Sequence, residues 1–448
     1  MLHGGLAKNI LAFALPLFAS GLLQQSFNAV DIAVIGQFST SEDLAAVGSN
    51  GSVISLMINL FVGIAVGVNV VVAQHIGQGD SNAVRKAVGT AGVIACVSGI
   101  FLLILGLVAA EPILRLLDTP ENVIRQASLY LRIYFTGVPF IMAYNFGAAV
   151  LKSVGDTRRP FYSLIVAGVV NAILDVVLVT VFDMGVAGVA IATVVANIVN
   201  ATIVVRLLVN EADPIRIDLH HMKVDRQELS KILRIGVPTG LQGMIFSLSN
   251  VFIQSAINAL GSNAVAGSAA ALNYEYYCDY AISACVQTTI AFTSQNYGAG
   301  NIDRCKRVFQ LCMLFSVISC GVLNVFLACY SNFFASLFTT DPDVLYFART
   351  RMHVVLMWQY IASSYEISGG ALRGLGYSLT PTIFTIFGTC LLRIVWINTV
   401  VKWYDGDFTV LMCVYPLSWT ITGIAVLTAY AVISRKAYAI PSKAVHNA

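Results

Sequence analysis

Leu151-Lys152-Ser153-Val154-Gly155-Asp156-Thr157-Arg158-Arg159-Pro160 returns as Leu372-Arg373-Gly374-Leu375-Gly376-Tyr377-Ser378-Leu379-Thr380-Pro381, a shift of 221 positions. Each copy joins one long apolar segment to the next, so the phrase punctuates a repeat larger than itself. Working outward, the register holds. Pro16 and Pro238 stand 222 apart, as do Asn28 and Asn250. Gln74-His75-Ile76-Gly77-Gln78-Gly79 returns as Gln295-Asn296-Tyr297-Gly298-Ala299-Gly300, and Arg85 and Lys86 are answered by Arg304, Lys306 and Arg307. Pro120 and Pro342 mark the same loop. Chance explains one such pair but not five in register.

Composition says what is repeated. The 448 residues are 57% hydrophobic and 11% charged, where a soluble chain carries roughly a quarter charged residues. Apolar runs of about 20 residues or more are long enough to cross a hydrocarbon core as helices. The fold class is an all-α polytopic membrane protein. The nine cysteines are scattered, mostly inside apolar segments, without metal-ligand spacing, and read as small packing residues. The apolar run after Lys8 lacks a small-residue cleavage site and reads as the first span.

Twelve apolar segments are expected, near 9–36, 44–74, 87–110, 127–150, 160–182 and 185–209, then 232–260, 264–294, 308–330, 346–371, 381–403 and 408–434. The domain reading is an N-lobe at 1–209, a polar linker at 210–230, a C-lobe at 231–434 and a tail at 435–448. His220 and His221 fall in the linker. An even number of spans per half makes the halves parallel repeats, and such bundles hold their working site at the repeat interface. Basic residues cluster in alternate loops and both tails, from Lys8 through Arg158, Arg159 and Arg226 to Lys443. The opposite loops carry Arg115, Arg125, Arg349, Arg351 and Lys402. The positive-inside rule therefore puts both termini in the cytoplasm.

Ionisable groups in spans are costly and functional by default. Six stand out: Asp31, Asp175, Glu275, Asp279, Glu366 and Arg393. Asp31 and Asp175 lie at roughly 8 and 12 Å from the outer ends of their segments at 1.5 Å per residue. Asn171 is one turn from Asp175, and Thr193 on segment 6 shares its depth. Two carboxylates, an amide and a hydroxyl could converge there, a set suited to Na⁺ or to proton exchange. The second half breaks the repeat: Arg393 stands where Asn171 counts to, and Ile397 where Asp175 does. Glu275 and Asp279 instead share one face of segment 8 among tyrosines. Arg393 is expected to neutralise one of them, leaving an acidic, aromatic surface that attracts organic cations. Glu366 corresponds to Asn145. Gln24, Asn28, Tyr144, Asn145, Glu275, Asp279, Tyr280, Glu366 and Arg393 are the candidate lining of a substrate cavity.

Asn28-Ala29-Val30-Asp31 followed by Gly36, the two doubled phrases, and Ser294-Gln295-Asn296-Tyr297-Gly298-Ala299-Gly300 together resemble the multidrug and toxic compound extrusion (MATE) transporters over essentially the whole chain. The resemblance implies two six-helix lobes forming a V, alternating access, and antiport of cationic drugs against Na⁺ or H⁺. Asp31, Asn171, Asp175 and Thr193 match the first-lobe cation-site pattern of its archaeal and DinF-like branch; Na⁺, if it is the coupling ion, would bind these four. Of the acids on segments 7 and 10 typical of the NorM branch, only Glu366 is present. The expected partners are small cationic organic substrates and the lipid bilayer of the bacterial inner membrane, with no nucleic acid. No cofactor is expected besides the coupling ion, and the expected assembly is a monomer. A lipid-linked sugar flippase would favour a basic cavity for phosphate, whereas the intramembrane excess here is acidic. A membrane-embedded enzyme would want a constellation such as HExxH or GxSxG, which is missing from the sequence. A channel fits two unlike halves less well than rocking does.

Overall fold

The structure, a computed structural model, describes residues 1–116, 121–218 and 222–439. Pro120, His220, His221, Lys443 and His446 lie outside the described residues. Among the described residues every regular element is helical. The first half runs α1 (Leu6–Phe38), α2 (Ser41–Gln78), α3 (Ser81–Leu116), α4 (Glu121–Thr136), α5 (Val138–Ser153), α6 (Arg158–Val176) with a π-helical continuation at Val177–Val181, and α7 (Gly185–Val209). The second runs α8 (Arg226–Asn258), α9 (Ser262–Gly298), α10 (Ile302–Cys329), α11 (Ser331–Ser336), α12 (Pro342–Val354), a 3₁₀ turn at Leu356–Ala362, and α13 (Ser363–Gly374). It continues through α14 (Leu379–Thr385), a π segment at Ile386–Leu391, α15 (Leu392–Asn398), α16 (Val400–Trp403), α17 (Phe408–Met412) and α18 (Val414–Ala439).

Eight of these stretches are long and apolar enough to cross a membrane, nine with the pair Val123–Thr136 and Val138–Ser153, which bends by 47°. Gly137 and Pro139 sit at that bend, and the proline has no N–H to continue the ladder. The other three expected segments fall on α8, α9 and α12–α13. There polar residues such as Glu275, Asp279, Arg351 and Glu366 dilute the apolar run.

The doubled phrase is a doubled helix stop. At the end of α5, the Asp156 amide donates to Leu151 O and the Gly155 amide to Lys152 O; after α13, Tyr377 donates to Leu372 O and Gly376 to Arg373 O. This is the paired bonding of a Schellman stop, which needs a left-handed residue. Gly155 and Gly376 supply it, with φ of 96° and 93°. Gly79 and Gly300, both at φ 74°, do the same after α2 and α9, where Asp80 donates to His75 O and Asn301 to Asn296 O.

Contacts divide the described chain into two compact units. The N-unit is Leu15–Gly240; the C-unit is Met1–Ala14 with Leu241–Ala448. Their borders fall inside α1 and α8, close to Pro16 and Pro238. In the N-unit, Gly236 and Gly240 of α8 lie against α2 so closely that a Cβ on Gly236 would come 2.5 Å from Ile64 Cα, and one on Gly240 2.7 Å from Leu60 Cα. Gly63 and Gly67 supply the facing small residues, the spacing that lets two backbones approach in a membrane.

The start of α8 reaches back into the expected linker because Asp225 caps it, accepting from the Gln227 and Glu228 amides at 3.0 and 3.2 Å. The Asp225 amide donates to Thr90 Oγ1 at 3.0 Å, its carboxylate meets Lys86 at 3.1 Å, and His75 Nε2 meets Glu228 Oε2 at 2.7 Å. Burial pushes the Glu228 carboxyl up, but His75 and Lys231 pull it further down, leaving it below the usual carboxylate range. In the C-unit Arg304 holds the chain start through the Met1, His3 and Gly4 carbonyls at 3.1–3.3 Å.

Candidate cation site and the polar cluster of the C-unit

In the N-unit the site is set by how α1 meets α6. The Phe27 ring lies directly over Gly168, where any Cβ would collide with it. One turn further along α1 comes Asp31, and two turns further along α6 comes Asp175, so the two carboxyls meet at hydrogen-bonding range. Asp175 is 0% exposed, and the π segment begins two residues after it. Such π distortions are frequent at functional sites. Neither carboxylate brings a donor, and Asp31 Oδ1 and both Asp175 oxygens have no protein partner among the described residues. Asn171, buried on the same face of α6, has an unpartnered Nδ2. The Thr193 hydroxyl donates to Val189 O at 3.0 Å, which leaves its oxygen lone pairs free.

Tyr130 and Tyr134 of α4 complete the surroundings. Tyr130 is an electrostatic neighbour of both aspartates and Tyr134 of Asp31, and their rings stack at 6.0 Å and 21°. The sequence reading missed them. Their signal was two tyrosines four apart, hence on one helix face. Gln24 and Asn28 lie on the exposed side of α1. Tyr144 and Asn145 are half-buried on α5, the Asn145 amide donating to Ile141 O at 2.9 Å.

The C-unit corrects two expectations. Arg351, read as a loop charge, is 3% exposed on α12 and grips Glu275 with two bonds, Nε to Oε1 at 2.6 Å and Nη2 to Oε2 at 3.0 Å. The cause is helix packing. α9 presses Gly267 against α12, where a Cβ would come 2.6 Å from Val344 O and 2.8 Å from Ala348 N. Two turns on, Glu275 and Arg351 face each other. Gln359 of the 3₁₀ turn donates to Glu275 O at 3.1 Å. Both Glu275 carboxylate oxygens are thus committed within the unit.

Arg393, expected to neutralise Glu275 or Asp279, pairs with neither. It is 0% exposed, donating long bonds to Ser418 Oγ (3.3 Å) and Asn250 Oδ1 (3.4 Å). Its guanidinium lies 4.4 Å from the Tyr415 ring centre and 5.4 Å from that of Phe246, within cation–π range. Glu366, half-buried on α13, has Arg373 as its basic neighbour, and Arg373 Nη2 donates to Gln242 Oε1 at 2.8 Å. Asp279 is exposed, with Glu275 and Glu366 as acidic neighbours. Tyr280, one residue on, is half-buried. No group of three or more His, Cys, Asp or Glu side chains gathers among the described residues.

The MatE family model matches this chain twice, over residues 16–177 and 238–397, once in each copy of the repeat. The chain belongs to the MatE family. Among MatE relatives, the "Probable multidrug resistance protein YoeA" of Bacillus subtilis is 31% identical over 389 residues, covering 85% of this chain and 84% of the relative. The FAD transporter of Shewanella oneidensis is 27% identical over 351 residues, 77% of each chain. A MOP superfamily transporter from Pyrococcus furiosus, described as having a binding pocket of reversed polarity, superposes with a TM-score of 0.90 at 21% identity over 98% of both chains. An outward-facing multidrug resistance MATE family transporter superposes with a TM-score of 0.88, also at 21% identity, over 97% of both. These superpositions establish the two-lobe, twelve-helix MatE fold. The chain is a multi-pass membrane protein of a multidrug efflux family, a transporter and not an enzyme, and its cargo class is small organic molecules.

Proposed function

We propose that the chain is a secondary active antiporter that exports cationic amphipathic molecules in exchange for Na⁺ or H⁺ by alternating access, with the ion bound at Asp31 and Asp175. The observation that carries this reading is the carboxyl pair itself. A half-buried and a fully buried carboxylate face each other with no basic side chain beside them among the described residues, and two such charges cannot both stay ionised without a counter-charge. A proton on one gives the pair the donor it lacks. Na⁺ would instead take oxygens from Asp31, Asp175, Asn171 and Thr193, the hard donor set an alkali cation prefers. The names of the multidrug resistance and multidrug export relatives support export of drugs.

Cargo and ion then compete for negative charge. With the pair empty, the bundle attracts a cationic cargo; when the ion binds, that attraction weakens and cargo leaves. Gln24, Asn28, Tyr144 and Asn145 are the cargo-lining candidates of the first half in this scheme; Asp279, Tyr280 and Glu366 are those of the second. The chain acts as a monomer in the bacterial inner membrane with both termini cytoplasmic, as the basic loops favour. The test is efflux of a fluorescent organic cation from proteoliposomes under separately imposed Na⁺ and proton gradients. Wild-type protein responds to one gradient, and Asp31→Asn loses that response. An Asp31→Asn protein that kept full ion-driven efflux would sink the scheme.

A further inference from the structure

The polar cluster of the C-unit holds three acids and three bases, and among the described residues a single ion pair joins any of them. Glu275 is taken by Arg351 through two bonds. Glu366 has Arg373 as an electrostatic neighbour, but the Arg373 guanidinium donates its bond to Gln242 Oε1. Asp279 on α9 and Arg393 on α15 form no ion pair among the described residues. Both are electrostatic neighbours of the Tyr365 ring. Asp279 is exposed; Arg393 is completely buried.

A buried guanidinium without a carboxylate is an expensive group to keep. Arg393 has two long bonds to neutral oxygens and two aromatic faces, and its Nη2 has no partner among the described residues. Leaving a charged donor unsatisfied inside a protein costs more than the bond it would make. Packing alone does not call for it, since a neutral side chain of similar volume would fill the space between Tyr415 and Phe246 without the desolvation cost. What Arg offers beyond volume is a planar fork that recognises carboxylate and phosphate oxygens.

We propose that Arg393 is the anion-recognising residue of the C-unit, and that its preferred cargo carries an oxyanion group, a carboxylate or a phosphate, in addition to a cationic group. The cationic end sits at Asp279 and the oxyanion end at Arg393, with Asn250 and Ser418 flanking it and Tyr365 between the two ends. Arg393 becomes reachable when the Tyr415 and Phe246 rings part. The proposal rests on the reading of this chain as an exporter of small organic molecules, and replaces a purely cationic cargo by one of mixed charge.

The test compares matched probes in proteoliposomes of the full-length chain. A zwitterionic rhodamine with a free carboxylate is set against its ethyl ester, and pyridoxamine phosphate against pyridoxamine. Wild-type protein should favour the oxyanion-bearing member of at least one pair, and the pair that responds identifies carboxylate or phosphate. Arg393→Gln should lower efflux of that member about tenfold more than efflux of its partner, the effect of one lost charge-assisted contact. Arg393→Lys, which keeps the charge without the fork, should recover part of the ratio. A purely structural role for Arg393 lowers both members of each pair equally and overturns the proposal, as does wild-type efflux of the ester and pyridoxamine alone. Ester efflux that ignores both Na⁺ and proton gradients would count against the antiport reading and leave the probe ratio to decide this one.

Discussion

In the N-unit, Asp31 and Asp175 meet with no base beside them and three oxygens unpartnered among the described residues. In the C-unit, Glu275 spends both its oxygens on Arg351, and the fully buried Arg393 has no carboxylate partner among the described residues. Yet the helix ends of the two halves repeat hydrogen bond for hydrogen bond, at Gly79 and Gly300 and again at Gly155 and Gly376. Duplication has preserved the backbone stops and let the intramembrane charges diverge. Backbone stops depend on local glycine geometry and survive any change of neighbouring side chain. Buried charges depend on what stands opposite, so one substitution such as Arg393 for the amide of the first half changes what the unit can bind.

That contrast can be broken most forcefully at the C-unit lock. Arg351→Met leaves the Glu275 carboxylate buried and alone, and should cost about 3–5 kcal/mol. Thermal unfolding of the detergent-solubilised protein measures it, and adding Glu275→Gln should restore most of the loss. A single variant as stable as wild type would mean that the pair does not lock α9 to α12.

The N-unit pair should respond with the opposite sign. Asp175→Asn removes like-charge repulsion and gives the pair a donor, so thermal stability should hold or rise. Ion-driven efflux should fall at least about tenfold, equivalent to about 1.4 kcal/mol. Destabilisation comparable to that of Arg351→Met would place Asp175 in a structural network instead.

The shared scaffold predicts equal effects. Gly155→Ala and Gly376→Ala each force a Cβ into the left-handed region and should each cost about 1–2 kcal/mol, seen as matching drops in unfolding temperature. Clearly unequal drops would show that the two stops are not equivalent.

The smallest expected effect separates the two points where the starts of α8 and of the chain are held. Glu228 is held below its ordinary value of about 4.3. The stability contributed by its charged form, which pairs with Lys231, is therefore fully present above that value and is lost as pH falls through the depressed folded one. Between about pH 5 and 3, wild-type stability should fall slightly faster than that of Glu228→Gln. The equivalent C-unit contact uses Arg304 on backbone carbonyls, so Arg304→Gln should leave the acid slope unchanged.

The duplication, the helical membrane architecture and the carboxyls at Asp31 and Asp175 were legible in the sequence, because each rests on spacing, hydropathy or the rarity of charge in an apolar span. The glycine stops were legible for the same reason, a local backbone demand that one residue type meets. The partner of Glu275 was not. Arg351 reads as a loop charge until α12 is pressed on α9 at Gly267, and only that crossing brings guanidinium and carboxylate together across 76 residues. Nor did spacing reveal that Tyr130 and Tyr134 face the aspartates, or that Arg393 lies between Tyr415 and Phe246. A sequence by itself fixes which charges must be buried and where helices must stop. Which buried charge meets a partner, and which is left for an ion or a cargo, is decided by the packing of helices far apart in the chain.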